Sequence, residues 1–202
     1  MAHQPKGGRL PFGVIAPDFT LRATDGKEYS LHRQKGQYGT VVIFSCNHCP
    51  YVQAYDERIN ALAGTYMPKG IQFFVINSND EHVYADDSFE MMQKKVIQNA
   101  LVYPYLHDAT QQVAVEYGAG CTPEVFAFDD HLRLIYTGRI DDNMDQPEKS
   151  TQRYLRDTCE AMLARRHPEV REVHPIGCSI KWKYFRCATC TIFNSHLLSR
   201  IV

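Results

Sequence analysis

No stretch of this chain approaches the roughly 20 consecutive apolar residues that a membrane-spanning helix needs. Its opening, Met1 to Gly13, lacks the apolar core of a secretory signal, so the expected location is cytoplasmic. Net charge is missing as well: 22 Lys and Arg stand against 23 Asp and Glu. A molecule so nearly neutral has no overall field to draw in nucleic acid or an anionic membrane, and neither is expected as a partner. Cysteine is too scarce for a disulfide scaffold, with seven in 202 residues, an odd number. In a reducing compartment, clustered cysteines point to redox chemistry or to metal rather than to structural staples. Internal repeats and low-complexity segments are also absent.

What remains is ordinary globular material, 44% hydrophobic and 22% charged. The length suits one α/β domain with some extra chain. Asp18–Leu21 and Lys27–Leu31 flank Asp25-Gly26, a tight-turn signal, and predict a hairpin. Thr40 to Ser45 is continuously apolar and β-branched, as a strand buried on both faces should be. The period then changes. Val52, Tyr55, Ile59, Leu62 and Tyr66 recur at three and four residues, one stripe of a helix. Ile71 to Ile76 predicts a second buried strand, and Asp86 and Asp87 offer an acidic start to a second helix. Thr110 to Tyr117 predicts a short helix. Val125–Phe128 and Leu132–Thr137 predict a hairpin whose second strand is half buried, with Leu132, Leu134 and Tyr136 inward. A last helix is expected from Thr151 to Arg165. This order predicts an α/β class with a central mixed sheet flanked by helices. The domain is placed at 10–166, and 167–202 is left as a C-terminal tail.

Chemistry concentrates in Cys46-Asn47-His48-Cys49, between the first buried strand and the first helix. With Cys46 at the helix start, free backbone N–H groups and the positive end of the helix dipole would favour its thiolate, and a protonated His48 would add to this. The three-residue step brings Cys49 close enough to close a disulfide. Cys46 is then the attacking thiol and Cys49 the deeper, resolving one. The competing readings are two buried core cysteines and a solvent-facing His48.

Several segments together resemble a family. They are Gly13 to Leu21, Phe44 to Val52 with its Cys-Asn-His-Cys-Pro run, Pro104 to Asp108, Cys121 to Pro123, Gly138 to Asp142 and Gly177 to Lys183. This combination resembles the redoxin branch of the thioredoxin-like superfamily, the alkyl-hydroperoxide-reductase/thiol-specific-antioxidant group, in a peroxiredoxin-like subgroup. The match in order and spacing covers roughly residues 10–183. The resemblance implies a thioredoxin-like fold with Cys46 and Cys49 as a redox-active disulfide and no other cofactor. It also implies a cis Thr122–Pro123 peptide facing that pair, with backbone beside the proline pairing with an extended substrate. The implied partners are a protein or small-molecule thiol or disulfide and a reductant.

Peroxide reduction is the alternative activity, but the residues depart from a peroxiredoxin site of the form Pro-x-x-x-Thr-x-x-Cys. Counting back from Cys46, Ile43 stands at the Thr position and Gly39 at the Pro position; from Cys49 the same positions hold Cys46 and Val42. Ile43 has no hydrogen to donate to a peroxide oxygen. A metal-binding protein, copper or zinc, using Cys46, His48, Cys49 and also Cys121 is a further alternative, because thiolate and imidazole suit both ions.

Cys121 is either a third redox thiol or metal ligand, or a small buried residue. Cys178 is a candidate accessory redox thiol reaching back over the site. Cys159 reads as packing. Cys178, Cys187, Cys190 and His196 supply a zinc count with irregular spacing, and Lys181, Lys183 and Arg186 flank Trp182, Tyr184 and Phe185. Both patterns read more simply as tail. Glu57 is the candidate base for Cys49.

Overall fold

The structure is a computed structural model and describes residues 10–183. Strands β1 (Thr20–Ala23) and β2 (Glu28–Ser30) pair antiparallel. Their turn places Gly26 at φ 84°, where a side chain would be strained. β3 (Gly39–Ser45) is buried at every residue. It leads to α1 (Pro50–Tyr66), β4 (Ile71–Asn77), α2 (Phe89–Gln98), β5 (Tyr105–His107) and α3 (Gln112–Tyr117). Then come β6 (Cys121–Thr122), β7 (Glu124–Asp129), β8 (Leu134–Gly138), α4 (Tyr154–Leu163) and β9 (Cys178–Ser179).

Seven strands form one mixed sheet in the order β2-β1-β5-β4-β3-β7-β8, while β6 and β9 form a separate ladder. β3, β4 and β5 run parallel; β7 joins β3 antiparallel. Alternation along β3 decides the two cores. Val41 and Ile43 pack with Tyr55, Ile59 and Met162 on one face. Val42 and Phe44 pack with Tyr117, Phe126 and Phe128 on the other. Helices therefore cover both faces, which is what a continuously apolar strand requires. Among the described residues no helix is long and apolar enough to cross a membrane.

Three departures from the sequence reading have physical causes. β8 begins at Leu134, because Leu132 turns the chain with φ 59°. It is buried throughout rather than half buried. The reason is the chain beyond α4, which returns along its free edge: Thr137 N–H bonds Arg171 O and Val173 N–H bonds Thr137 O, both at 3.0 Å. A Cβ on Gly138 would lie 2.3 Å from Val173 O, so the close approach needs glycine there. α2 begins at Phe89, and the carboxylate of Asp87 instead accepts hydrogen bonds from Asn47 and Asn79. Residues 167–183 continue onto the domain, with Ile180 and Trp182 buried in the second core. Of the basic–aromatic stretch, Trp182 thus faces inward. Tyr184, Phe185, Arg186, Cys187, Cys190 and His196 lie outside the described residues.

Candidate active site

β3 delivers the chain to Cys46 at the end of the sheet, and α1 carries it away. Pro50 decides where the helix starts. Proline fits the first helical position because its missing N–H would be unsatisfied there, and it disfavours α geometry in the residue before it. Cys49 accordingly is the N-cap, extended at φ −71° and ψ 124°. The expectation that Cys46 sits at the helix start is corrected: the field of the helix N-terminus falls on Cys49.

Both sulfurs are fully buried, so Cys46 is not the exposed member expected of it. Cys46 Sγ lies 3.2 Å from Thr122 Oγ1, and Cys49 Sγ lies 3.3 Å from the Thr122 carbonyl oxygen. The Thr122–Pro123 peptide that presents these groups is cis. Glu124 Oε2 accepts the Gly120 N–H at 2.8 Å and holds this loop from below. Cys121 alternates to the other side of β6, where its thiol is 3.9 Å from Glu124 Oε2. It is Thr122, the next residue of β6, whose hydroxyl and carbonyl meet the two sulfurs.

The turn between the cysteines is clamped by Asp87, a fully buried carboxylate. Asn47 N–H donates to Asp87 Oδ1 at 2.6 Å, and Asn79 Nδ2 donates to Oδ2 at 2.8 Å. His48 Nδ1 lies 2.5 Å from Oδ2. The His48 ring stacks on Tyr84 at 3.9 Å, so it is held between a carboxylate and an aromatic face rather than facing solvent. Tyr105 OH donates to Asn47 Oδ1 at 2.9 Å. Beneath the turn, Lys95 Nζ donates to the Cys46 carbonyl at 3.0 Å and pairs with Asp56 Oδ2 at 2.8 Å.

Asp56, not Glu57, is the buried carboxylate of α1; Glu57 lies on the exposed face. Burial raises the pKa of Asp56 above the usual carboxylate range, against the pull of Lys95. Asp56 was visible in the sequence as an acid on the apolar stripe of α1, between Val52 and Ile59. Asp87 carried no such signal.

The electrostatics of the thiols follow from this geometry. Cys46 donates to Cys49, is buried, and faces the Asp87 charge, so its thiol is held well above the ordinary range. The Thr122 hydroxyl opposes this weakly. Cys49 is pushed below the ordinary range because it accepts from Cys46, and then from Cys178 and the N–H groups of Val52 and Cys178. When neutral, Cys49 can donate to the Thr122 carbonyl. Burial and the neighbouring groups thus disfavour a charge at Cys46 and favour one at Cys49. Cys159 lies fully buried in α4 and takes no part.

Cys178 completes the surroundings. β9 pairs antiparallel with β6, Thr122 opposite Cys178 and Cys121 opposite Ser179. The strand edge beside Pro123, where the resemblance implied a substrate, is occupied by the same chain. Cys178 and Tyr51 pack over Cys46, Cys49 and Val52. Beside Pro123 a cleft of about 250 Å³ opens, lined by Tyr51, Tyr55, Arg139, Met144 and Ile176.

A dithiol turn leaving the central strand of a mixed sheet, faced by a threonine–proline loop, defines the thioredoxin-like class of oxidoreductases, and this chain has that fold. Within the class it belongs to the redoxin family: the Redoxin family model matches residues 12–155. A thiol-disulfide oxidoreductase ResA of Geobacillus thermodenitrificans is 27% identical over 130 residues, 63% of this chain and 70% of the relative. An uncharacterized conserved protein from Geobacillus kaustophilus has a solved structure at 40% identity and TM-score 0.81, covering 86% of this chain and 93% of that one. A hypothetical protein from Sinorhizobium meliloti 1021 is 34% identical with TM-score 0.80, covering 87% and 97%.

Proposed function

We propose that the protein is a thiol–disulfide oxidoreductase that works through Cys46 and Cys49, with Cys46 attacking and Cys49 resolving. The observation that carries this reading is the pair itself: two buried sulfurs that both face Thr122 beside its cis proline, the second at a helix N-terminus. The Cys49 thiolate is the internal base. It accepts the Cys46 proton as Cys46 attacks a substrate sulfur, and the other substrate sulfur leaves as a thiolate that takes this proton from Cys49. Once deprotonated again, Cys49 attacks Cys46 Sγ in the mixed disulfide, closing the Cys46–Cys49 disulfide and releasing the reduced substrate. The helix N-terminus favours that second thiolate. Both sulfurs are covered by Tyr51 and Cys178, whose side chains a substrate disulfide must displace to reach them. A protein or small-molecule disulfide is the substrate class, and a thiol reductant restores the pair.

The test is a disulfide-reduction assay on three proteins. Wild type should turn over, Cys46→Ser should lose activity, and Cys49→Ser should trap a mixed disulfide on Cys46. If Cys46→Ser retains full activity the dithiol mechanism is wrong; if it instead traps substrate on Cys49, the assigned roles are reversed.

One observation favours a second reading, metal binding. Ligand atoms of Cys46, His48 and Asp87 all lie within 4.8 Å of one another. Asp87 takes the place expected of Cys49 and Cys121 in that set. The hydrogen bond between His48 and Asp87 already engages two of these atoms, which ranks this reading second. Stoichiometric metal in protein purified under reducing conditions, with no disulfide reduction, would reverse the order.

A further inference from the structure

The segment after Pro175 is built to bring one sulfur to the redox pair. Cys178 lies opposite Thr122 in the β6–β9 ladder, and its side chain packs against the cluster of Cys46, Cys49 and Val52. Gly177 makes the approach possible. A Cβ there would lie 2.1 Å from Thr122 O and 3.1 Å from Pro123 N, both backbone atoms that cannot step aside.

The far end of the segment is anchored. Ile180 N–H bonds Gly120 O at 3.1 Å, Lys181 N–H bonds Asn79 Oδ1 at 2.9 Å, and Lys183 N–H bonds Gln111 Oε1 at 2.8 Å. Asp80 N–H and Gln111 Nε2 both donate to Lys181 O at 2.8 Å. Ile180 and Trp182 are buried in the core. Cys178 is therefore placed at the site by structure on both sides of it. Cys46 and Cys49 are fully buried, whereas Cys178 is only partly so.

We propose that Cys178 is a third redox thiol, a relay between the buried pair and external thiols. The inference rests on the dithiol reading above. In the oxidised protein the Cys178 thiolate attacks Cys49 Sγ; a Cys49–Cys178 bond forms and the Cys46–Cys49 bond breaks. Cys46 leaves as thiolate and takes up the proton that Cys178 gave up. One disulfide is consumed and one is formed, so no outside oxidant is needed. The new disulfide has one partly exposed sulfur. An external thiol of the glutathione class attacks Cys178 there, frees Cys49, and a second equivalent regenerates the Cys178 thiol.

The test is disulfide mapping by peptide mass spectrometry across a glutathione redox series. Wild type should yield both Cys46–Cys49 and Cys49–Cys178 peptides. Cys46→Ser should close Cys49–Cys178 within the chain, while Cys178→Ser should keep Cys46–Cys49 alone. Gly177→Ala retains all three sulfurs but presses Cys178 off Thr122. It should lower the yield of Cys49–Cys178 relative to Cys46–Cys49 about tenfold, the ratio that about 1.4 kcal/mol of strain gives.

If wild type forms Cys46–Cys49 but neither wild type nor Cys46→Ser forms Cys49–Cys178, the relay is wrong and the dithiol reading stands. Failure to form Cys46–Cys49 at all would sink both. An unchanged disulfide ratio in Gly177→Ala would show that β9 does not position the exchange.

Discussion

Replacing Asp87 by Asn removes one negative charge at nearly constant shape, and its consequence for the proposed redox pair has a definite sign. Asp87 is fully buried, and its ligand oxygen lies within 4.8 Å of Cys46 Sγ. Two unit charges at that separation repel by about 3 kcal/mol at an effective dielectric near 20. This repulsion opposes a thiolate at Cys46 and therefore opposes the reduced form when it carries charge there. Loss of the carboxylate stabilises the reduced pair. At about 30 mV per 1.4 kcal/mol, the reduction potential should become less negative by up to about 60 mV. The full figure is a ceiling, because the charge rests mainly on Cys49.

Whether His48 is protonated does not alter that sign. Losing Asp87 leaves either a free imidazolium, which favours thiolate further, or no charge at all. His48→Ala should move the potential the other way, by tens of millivolts, because it removes a hydrogen-bonding partner of Asp87 and leaves the carboxylate charge facing the pair. The Asn variant also weakens three hydrogen bonds to a buried charge, with a stability loss of about 2–3 kcal/mol. Circular dichroism establishes that the protein remains folded, and equilibration with glutathione gives the potential. A folded Asp87→Asn protein with an unchanged or more negative potential would refute the electrostatic assignment.

The lowered Cys49 pKa predicts that the thiolate absorbance of reduced protein persists through neutral pH and disappears only in acid; Cys49→Ser should lose it. A group lowered in the folded state stabilises fully above its unfolded value and loses that contribution as pH falls through the folded one. Reduced protein should therefore gain stability from acid up to the ordinary thiol range and then level off; a thiolate titrating at the ordinary value would contradict this. Reaction with hydrogen peroxide should remain slow, below about 10⁴ M⁻¹s⁻¹, a value at the low end for dedicated enzymes. The reason is that Ile43, fully buried in β3, offers no donor at the threonine position. Stopped-flow mixing of reduced protein with peroxide measures it, and a faster reaction would point to the Thr122 hydroxyl as the replacement donor.

Local rules made the scaffold legible. The continuous β-branched run before Cys46 could only be a covered central strand, and the change of period after Cys49 could only be a helix packed on it. Pro50 was equally visible, and its preference for the first helical turn fixes the helix start one residue after Cys49. The Cys-x-x-Cys spacing drew attention to Cys46 instead. Short strands were the least legible: β6 and β9 have two residues each. Two residues hold no periodicity, and their pairing is stabilised by chain that is distant in sequence.

The sequence by itself determined the fold class, the position of the dithiol turn and the absence of a threonine donor, because each depends on the residue types within a few positions. Only the tertiary structure decided the electrostatics. The carboxylate that clamps the turn arrives from forty positions on in the chain. Its neighbourhood reads as an acidic helix start, and nothing local distinguishes that role from one at a redox centre. Cys178 likewise stands in a stretch without pattern. It reaches Cys49 because Trp182 finds the second core and Gly177 clears the Thr122 backbone, and contacts of that kind exist only once the chain is folded.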